Sequence, residues 1–103
     1  MSNADVTLEV NFDIKNPDRT TIRTNAKKEA VEEILGAWLS CQIGQDKDES
    51  EPHRKSEYTI KIQLDLSNDA FFTSSDAGNK GLTCGLVMDV FKRLDKIEIL
   101  ALS

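Results

Sequence analysis

Metal-binding and redox chemistry are the first things this sequence is short of. His53, Cys41 and Cys84 are its only histidine and cysteines, and no two of them stand at a zinc-ligand spacing. No metal site or cofactor is therefore expected. Two cysteines make no disulfide framework, and both fall inside helical patterns, where a thiol packs as a small apolar group. That usage points to a reducing compartment, and a cytoplasmic location is expected. Long apolar runs are missing as well: none approaches the ~20 residues that span a bilayer. The start, Met1-Ser2-Asn3-Ala4-Asp5, lacks the basic and apolar regions of a signal peptide. Ser2-Asn3-Ala4 resembles the remnant of an expression tag, so a single domain is expected over residues 5–103.

Positive charge is the next shortage. Thirteen Lys and Arg against 18 Asp and Glu leave a net charge of −5. This disfavours phosphate backbones and anionic membranes while leaving basic protein partners open. Arg19, Arg23, Lys27 and Lys28 cluster before the first helix, but no aromatic residues interleave with them, so nucleic acid is not expected as a partner. What is present is ordinary: 39% hydrophobic and 30% charged residues over 103 positions, enough for one core. A chain this long buries roughly 60–65% of its unfolded surface on folding.

Residues 6–15 alternate strictly, with Val6, Leu8, Val10, Phe12 and Ile14 against Thr7, Glu9, Asn11, Asp13 and Lys15. A period of two with one polar face is a half-buried strand. Asn16-Pro17-Asp18-Arg19 reads as a turn, and residues 20–24 as the returning strand. Asn25 is positioned as an N-cap for a helix carrying Ala30, Val31, Ile34, Leu35, Trp38 and Leu39 on one stripe, with Gly44 as its stop. Residues 45–56 hold no apolar side chain and read as a mobile loop. Tyr58, Ile60, Ile62, Leu64 and Leu66 mark a second alternating strand, Ser67-Asn68-Asp69 a turn, and residues 70–75 its return. A second helix over 80–94 carries Leu82, Leu86, Val87, Val90, Phe91 and Leu94, and a short strand ends the chain.

These elements predict an α+β fold of two layers, an antiparallel sheet of four to five strands with two helices on one face, in the order ββαββαβ. Reading residues 20–24 as loop gives the alternative, a ferredoxin-like βαββαβ. At an offset of 52 residues Leu8 meets Ile60, Val10 meets Ile62, Leu35 meets Val87 and Trp38 meets Val90. Internal duplication explains this, and so does the binary pattern that any two hairpin–helix units share.

The segment 74–83 is the unusual stretch: hydroxyls, an aspartate and two glycines run straight into a helix N-terminus. Free N–H groups there hold anions and glycine admits a ligand closely, so Ser74, Ser75, Asp76, Gly78, Asn79, Lys80 and Thr83 form a candidate anion pocket. The competing explanation is a turn with a helix cap at Asp76 or Asn79. The P-loop and dinucleotide spacings are absent. Asp13 and Asp65 are a second candidate, a carboxylate pair across neighbouring strands; exposed turn residues are the competing reading. Along the second helix Gly81, Cys84, Gly85 and Met88 form a stripe suited to close packing. No catalytic grouping is evident. In the last strand Leu100 and Leu102 point away from the core together with Glu98, a candidate interface for self-association or a partner. The leading expectation is an acidic, non-enzymatic protein-binding or regulatory module, either homodimeric or partner-neutralising. The alternative is a small anionic-ligand binder or enzyme that uses segment 74–83.

Overall fold

A computed structural model describes residues 5–42, 55–78 and 80–102. The expected tag remnant, Gly44, His53, Asn79 and residues 45–54 of the expected loop lie outside the described residues. Strand β1 (Val6–Asp13) buries Leu8, Val10 and Phe12, as its alternation dictates. A 3-10 turn at Pro17–Arg19 leads into β2 (Thr21–Thr24), so residues 21–24 are strand and the ferredoxin-like alternative does not hold. Helix α1 (Lys28–Cys41) follows, then β3 (Glu57–Asp65), β4 (Ala70–Ser75), helix α2 (Lys80–Lys92), a 3-10 turn at Leu94–Lys96 and β5 (Glu98–Ala101). One five-stranded sheet in the order β4-β3-β1-β2-β5 carries both helices' apolar stripes on one side.

The sheet is mixed, not antiparallel. β5 runs parallel to β2, with Ile99 opposite Ile22 and Leu100 opposite Arg23. The connection decides the direction. α2 takes the chain from one edge of the sheet to the other, and its 13 residues span about 20 Å, matching four inter-strand steps of ~4.8 Å. Ser75, where β4 ends, lies in the same cross-sheet row as Ile60, Val10, Ile22 and Ile99, close to where β2 begins. A strand entering there can only run alongside β2 in the same sense. Alternation fixes which face is wet, but not which way a crossover delivers the next strand.

Two local expectations are also corrected. Asn25 does not cap α1, whose N-cap position is Lys27. The Asn25 amide instead extends the ladder of β2: its oxygen accepts from Thr7 N–H at 2.9 Å and its nitrogen donates to the Asp5 carbonyl at 3.2 Å. Asp13 and Asp65 do not face each other, because the β1–β3 register puts Asp13 opposite Glu57 and Asp65 at the far end, opposite Ala70. Each serves its own turn. Asp13 accepts from Asn16 N–H at 3.0 Å, and Asp65 from the side-chain amide of Asn68 at 2.7 Å. The Asn68 side-chain amide first, against a partial desolvation that pushes the other way, and then the backbone N–H groups of Asn68 and Ser67 hold the Asp65 carboxyl below its ordinary value.

The two hairpins, β1–β2 and β3–β4, lie side by side and join through the β1–β3 pair. The offset of 52 keeps the buried positions of the helices in step, Leu35 with Val87 and Trp38 with Val90. In the hairpins the return strands sit one residue out of that offset. Leu8 pairs with Thr24, which would set Ile60 against Asp76, whereas Ile60 pairs with Ser75.

Candidate functional site

Where the C-terminal end of α1 and the N-terminal end of α2 meet above edge strand β4, the helix layer leaves a pocket of about 450 Å³. Its lining is Trp38 and Gln42 from α1, Thr73 and Ser75 from β4, Gly78 from the connecting turn, and Lys80, Thr83 and Cys84 from α2. Strand parity puts Thr73 and Ser75 there, since alternate residues of β4 share the helix-covered face. Helix spacing puts Trp38 and Gln42 there, four residues apart on one face of α1.

The walls are held by hydrogen bonds. Trp38 is buried, and its Nε1 donates to Thr73 Oγ1 at 2.8 Å. Ser75 Oγ accepts from Ala77 N–H at 3.0 Å and from Thr83 Oγ1 at 2.9 Å. Gly78 has φ +89, a conformation that glycine adopts without strain, and this backbone carries the chain round the pocket mouth into α2. Lys80 is exposed and is the one charged residue among the described lining. Ser75, Lys80 and Gln42 thus offer hydroxyl, ammonium and amide donors to one space, beside an indole wall.

Of the seven residues singled out in segment 74–83, the pocket brings together Ser75, Gly78, Lys80 and Thr83. Ser74 points the other way, onto the uncovered face of the sheet, opposite Lys61. Asp76 does not cap α2. One carboxylate oxygen accepts from Thr59 N–H at 2.9 Å and the other from Lys55 Nζ at 2.7 Å, which ties the end of β4 to β3. Partial desolvation pushes its carboxyl up, but the Lys55 and Thr59 hydrogen bonds and the Lys55 charge outweigh that and hold it below its ordinary value. Asn79 lies outside the described residues.

Trp38, Gln42, Thr73 and Cys84 belong to the lining without having been picked out as site residues. Trp38 was legible only as core, and nothing local connects it to a strand 35 positions later. Cys84 is buried in α2, and Cys41 is exposed at the end of α1. No group of three or more His, Cys, Asp or Glu that could hold a metal ion occurs among the described residues. At the other edge, Glu98 is exposed, while Leu100 and Leu102 are half-buried; the Leu102 N–H donates to the Thr24 carbonyl at 2.8 Å. No described helix is long and apolar enough to cross a membrane. No protein-family model matches the chain, and neither a curated protein nor a solved structure matches it.

Proposed function

We propose that the chain is a small-molecule binding module that takes a compact anion, phosphate- or carboxylate-bearing, in the pocket between α1, α2 and β4. The observation that carries this reading is the convergence of Ser75, Lys80 and Thr83 on one space of about 450 Å³, where Lys80 is the one charged residue among the described lining. Pockets of this size hold metabolite-sized ligands, and a few placed polar groups fix their orientation. The titratable groups of the described lining are Lys80 and Cys84, and the Lys80 ammonium is the charge that would meet an anion. The test is an amide-resolved NMR titration with inorganic phosphate and with a nucleoside monophosphate. Shifts confined to Ser75, Gly78, Lys80 and Thr83, weakened about tenfold by Lys80→Ala, are expected for a charge-assisted contact. No localised shift at ~10 mM of either probe, a concentration that detects even millimolar affinity, overturns the reading.

A second reading, a basic protein partner, is favoured by the uncovered face of the sheet. There Glu9, Asp13, Glu57, Asp65 and Glu98 outnumber Lys61 and Arg23. Charge complementarity would steer such a partner. A pull-down from source lysate at two salt concentrations checks it: a stoichiometric basic protein released by salt supports it, and a blank opposes it.

A further inference from the structure

The two edges of the sheet are built differently. β5 is four residues long and carries a charge at Glu98. β4 is six residues long, Ala-Phe-Phe-Thr-Ser-Ser, with no charge, no proline and no bulge along it. Natural edge strands are ordinarily shortened, charged or bent to prevent pairing with another chain, and β4 has none of these devices. No described element pairs with its outer side. The exposed large hydrophobic residues among those described are Leu66 and Phe72, at 63% and 54%; Phe72 lies on β4 and Leu66 at the start of the turn leading into it.

The hydrogen-bonding phase of the edge follows from one bond. Asp76 N–H donates to the Thr59 carbonyl at 3.3 Å, so alternation along the ladder directs the main-chain groups of Ser74 and Phe72 toward β3. Those of Phe71, Thr73 and Ser75 point outward. An antiparallel copy of the same strand can take them up in a register that sets Phe71 opposite Thr73 of the second copy and Phe72 opposite Phe72. That pairing is self-complementary, as a two-fold interface requires. It sets Asp69 opposite Ser75 and Asp76 opposite Asn68, so no carboxylate meets a carboxylate. The register centred on Thr73 instead sets Phe72 against Ser74 and loses the ring pair.

We propose that β4 pairs antiparallel with β4 of a second copy of this chain across a two-fold axis at Phe72, joining two five-stranded sheets into one. Phe72 then becomes a non-hydrogen-bonded cross-strand pair, the kind in which opposed side chains come closest. An interface limited to one strand and one ring pair buries less than the ~1,200 Å² of a standard stable complex, so the dimer is weak and concentration-dependent.

Sedimentation equilibrium from ~10 μM to ~1 mM, the range of such weak association, tests it. Wild-type chain is expected to pass from monomer to dimer. Phe72→Lys, which sets two like charges face to face, is expected to weaken the dimer at least tenfold with unchanged circular dichroism. In a Cys41→Ser background, Phe72→Cys is expected to cross-link on mild oxidation. Ser74→Cys, whose two copies lie ~14 Å apart in this register, is not. A monomer throughout the range, or a dimer indifferent to Phe72→Lys, overturns the proposal. So does a dimer broken instead by Leu100→Lys, which would move the contact to β5.

Discussion

The bond from Trp38 Nε1 to Thr73 Oγ1 gives the sharpest test of how the pocket wall is held. Thr73→Val replaces a hydroxyl by a methyl of nearly the same shape. Both residues suit a strand, so propensity barely changes. What changes is the indole N–H. Trp38 is 2% exposed, and its donor loses its acceptor at 2.8 Å. An unsatisfied buried donor costs about 1–3 kcal/mol. Thr73 is exposed and the pocket admits water, so a bridging water recovers part of that, leaving a loss of about 1–2 kcal/mol. In a domain of this length each kcal/mol lowers the melting temperature by ~4–8 °C.

Urea unfolding followed by far-ultraviolet circular dichroism measures the effect, because that signal survives removal of the single tryptophan. Trp38→Phe removes the donor together with part of the core, and the cycle with Thr73→Val isolates the pair. A coupling of about 1 kcal/mol is expected. Thr73→Val as stable as wild type, or a coupling near zero, refutes the claim that this bond ties α1 to the edge strand.

Three further outcomes are open to the same assay. Gly78→Ala meets no atom within 4 Å, so any loss comes from φ +89 alone and should be about 1–2 kcal/mol. Glu57→Lys places a cation opposite Asp13 where two carboxylates now face each other, and should raise stability by about 0.2–1 kcal/mol in low salt. The Asp76 carboxyl is held below its ordinary value in the folded chain. The stability its bonds contribute is therefore fully present above the unfolded aspartate value of about 3.9 and is lost as pH falls through the folded value. Because the Lys55–Asp76 pair is half in solvent, the loss is about 0.5 kcal/mol or less. Lys55→Met should reduce this acid sensitivity, as seen in urea unfolding curves recorded between neutral pH and pH 3.

Alternation and helical spacing were enough to find the core. Leu8, Val10, Ile60 and Ile62 in the central strands, and Val31, Leu35, Trp38, Leu86, Val87 and Val90 in the helices, are all buried. Those patterns record a burial requirement that acts residue by residue. The Asn25 amide suits a helix cap and a strand extension equally, and only the neighbouring Thr7 and Asp5 decide between them. The direction of β5 depends on where α2 releases the chain, which no local pattern records. The pocket was half legible for the same reason. Ser75, Gly78, Lys80 and Thr83 are close in sequence and carry a turn-to-helix signature, whereas Trp38 and Gln42 arrive from the other half of the chain, and Thr73 joins through the alternation of β4, on the same face as Ser75.

The position of the pocket follows from the one element that breaks the likeness of the two halves. Each half presents a hairpin followed by a helix, and each leaves its second strand outermost, β2 on one side and β4 on the other. On the β2 side the chain returns: β5 pairs along β2, and Ile97 and Ile99 join the core beside Ile22. On the β4 side no described strand follows, so the corner between the two helices and the edge strand stays open. The residues of β4 then divide their work by direction. The side chains of Thr73 and Ser75 line the pocket, their main-chain groups point out along the sheet edge, and Phe72 and Ser74 lie on the opposite face. A single uncovered strand thus exposes both features for which a ligand and a second copy are proposed. Neither needs the other to form, because the pocket uses side chains above the sheet and the pairing uses main-chain groups in its plane.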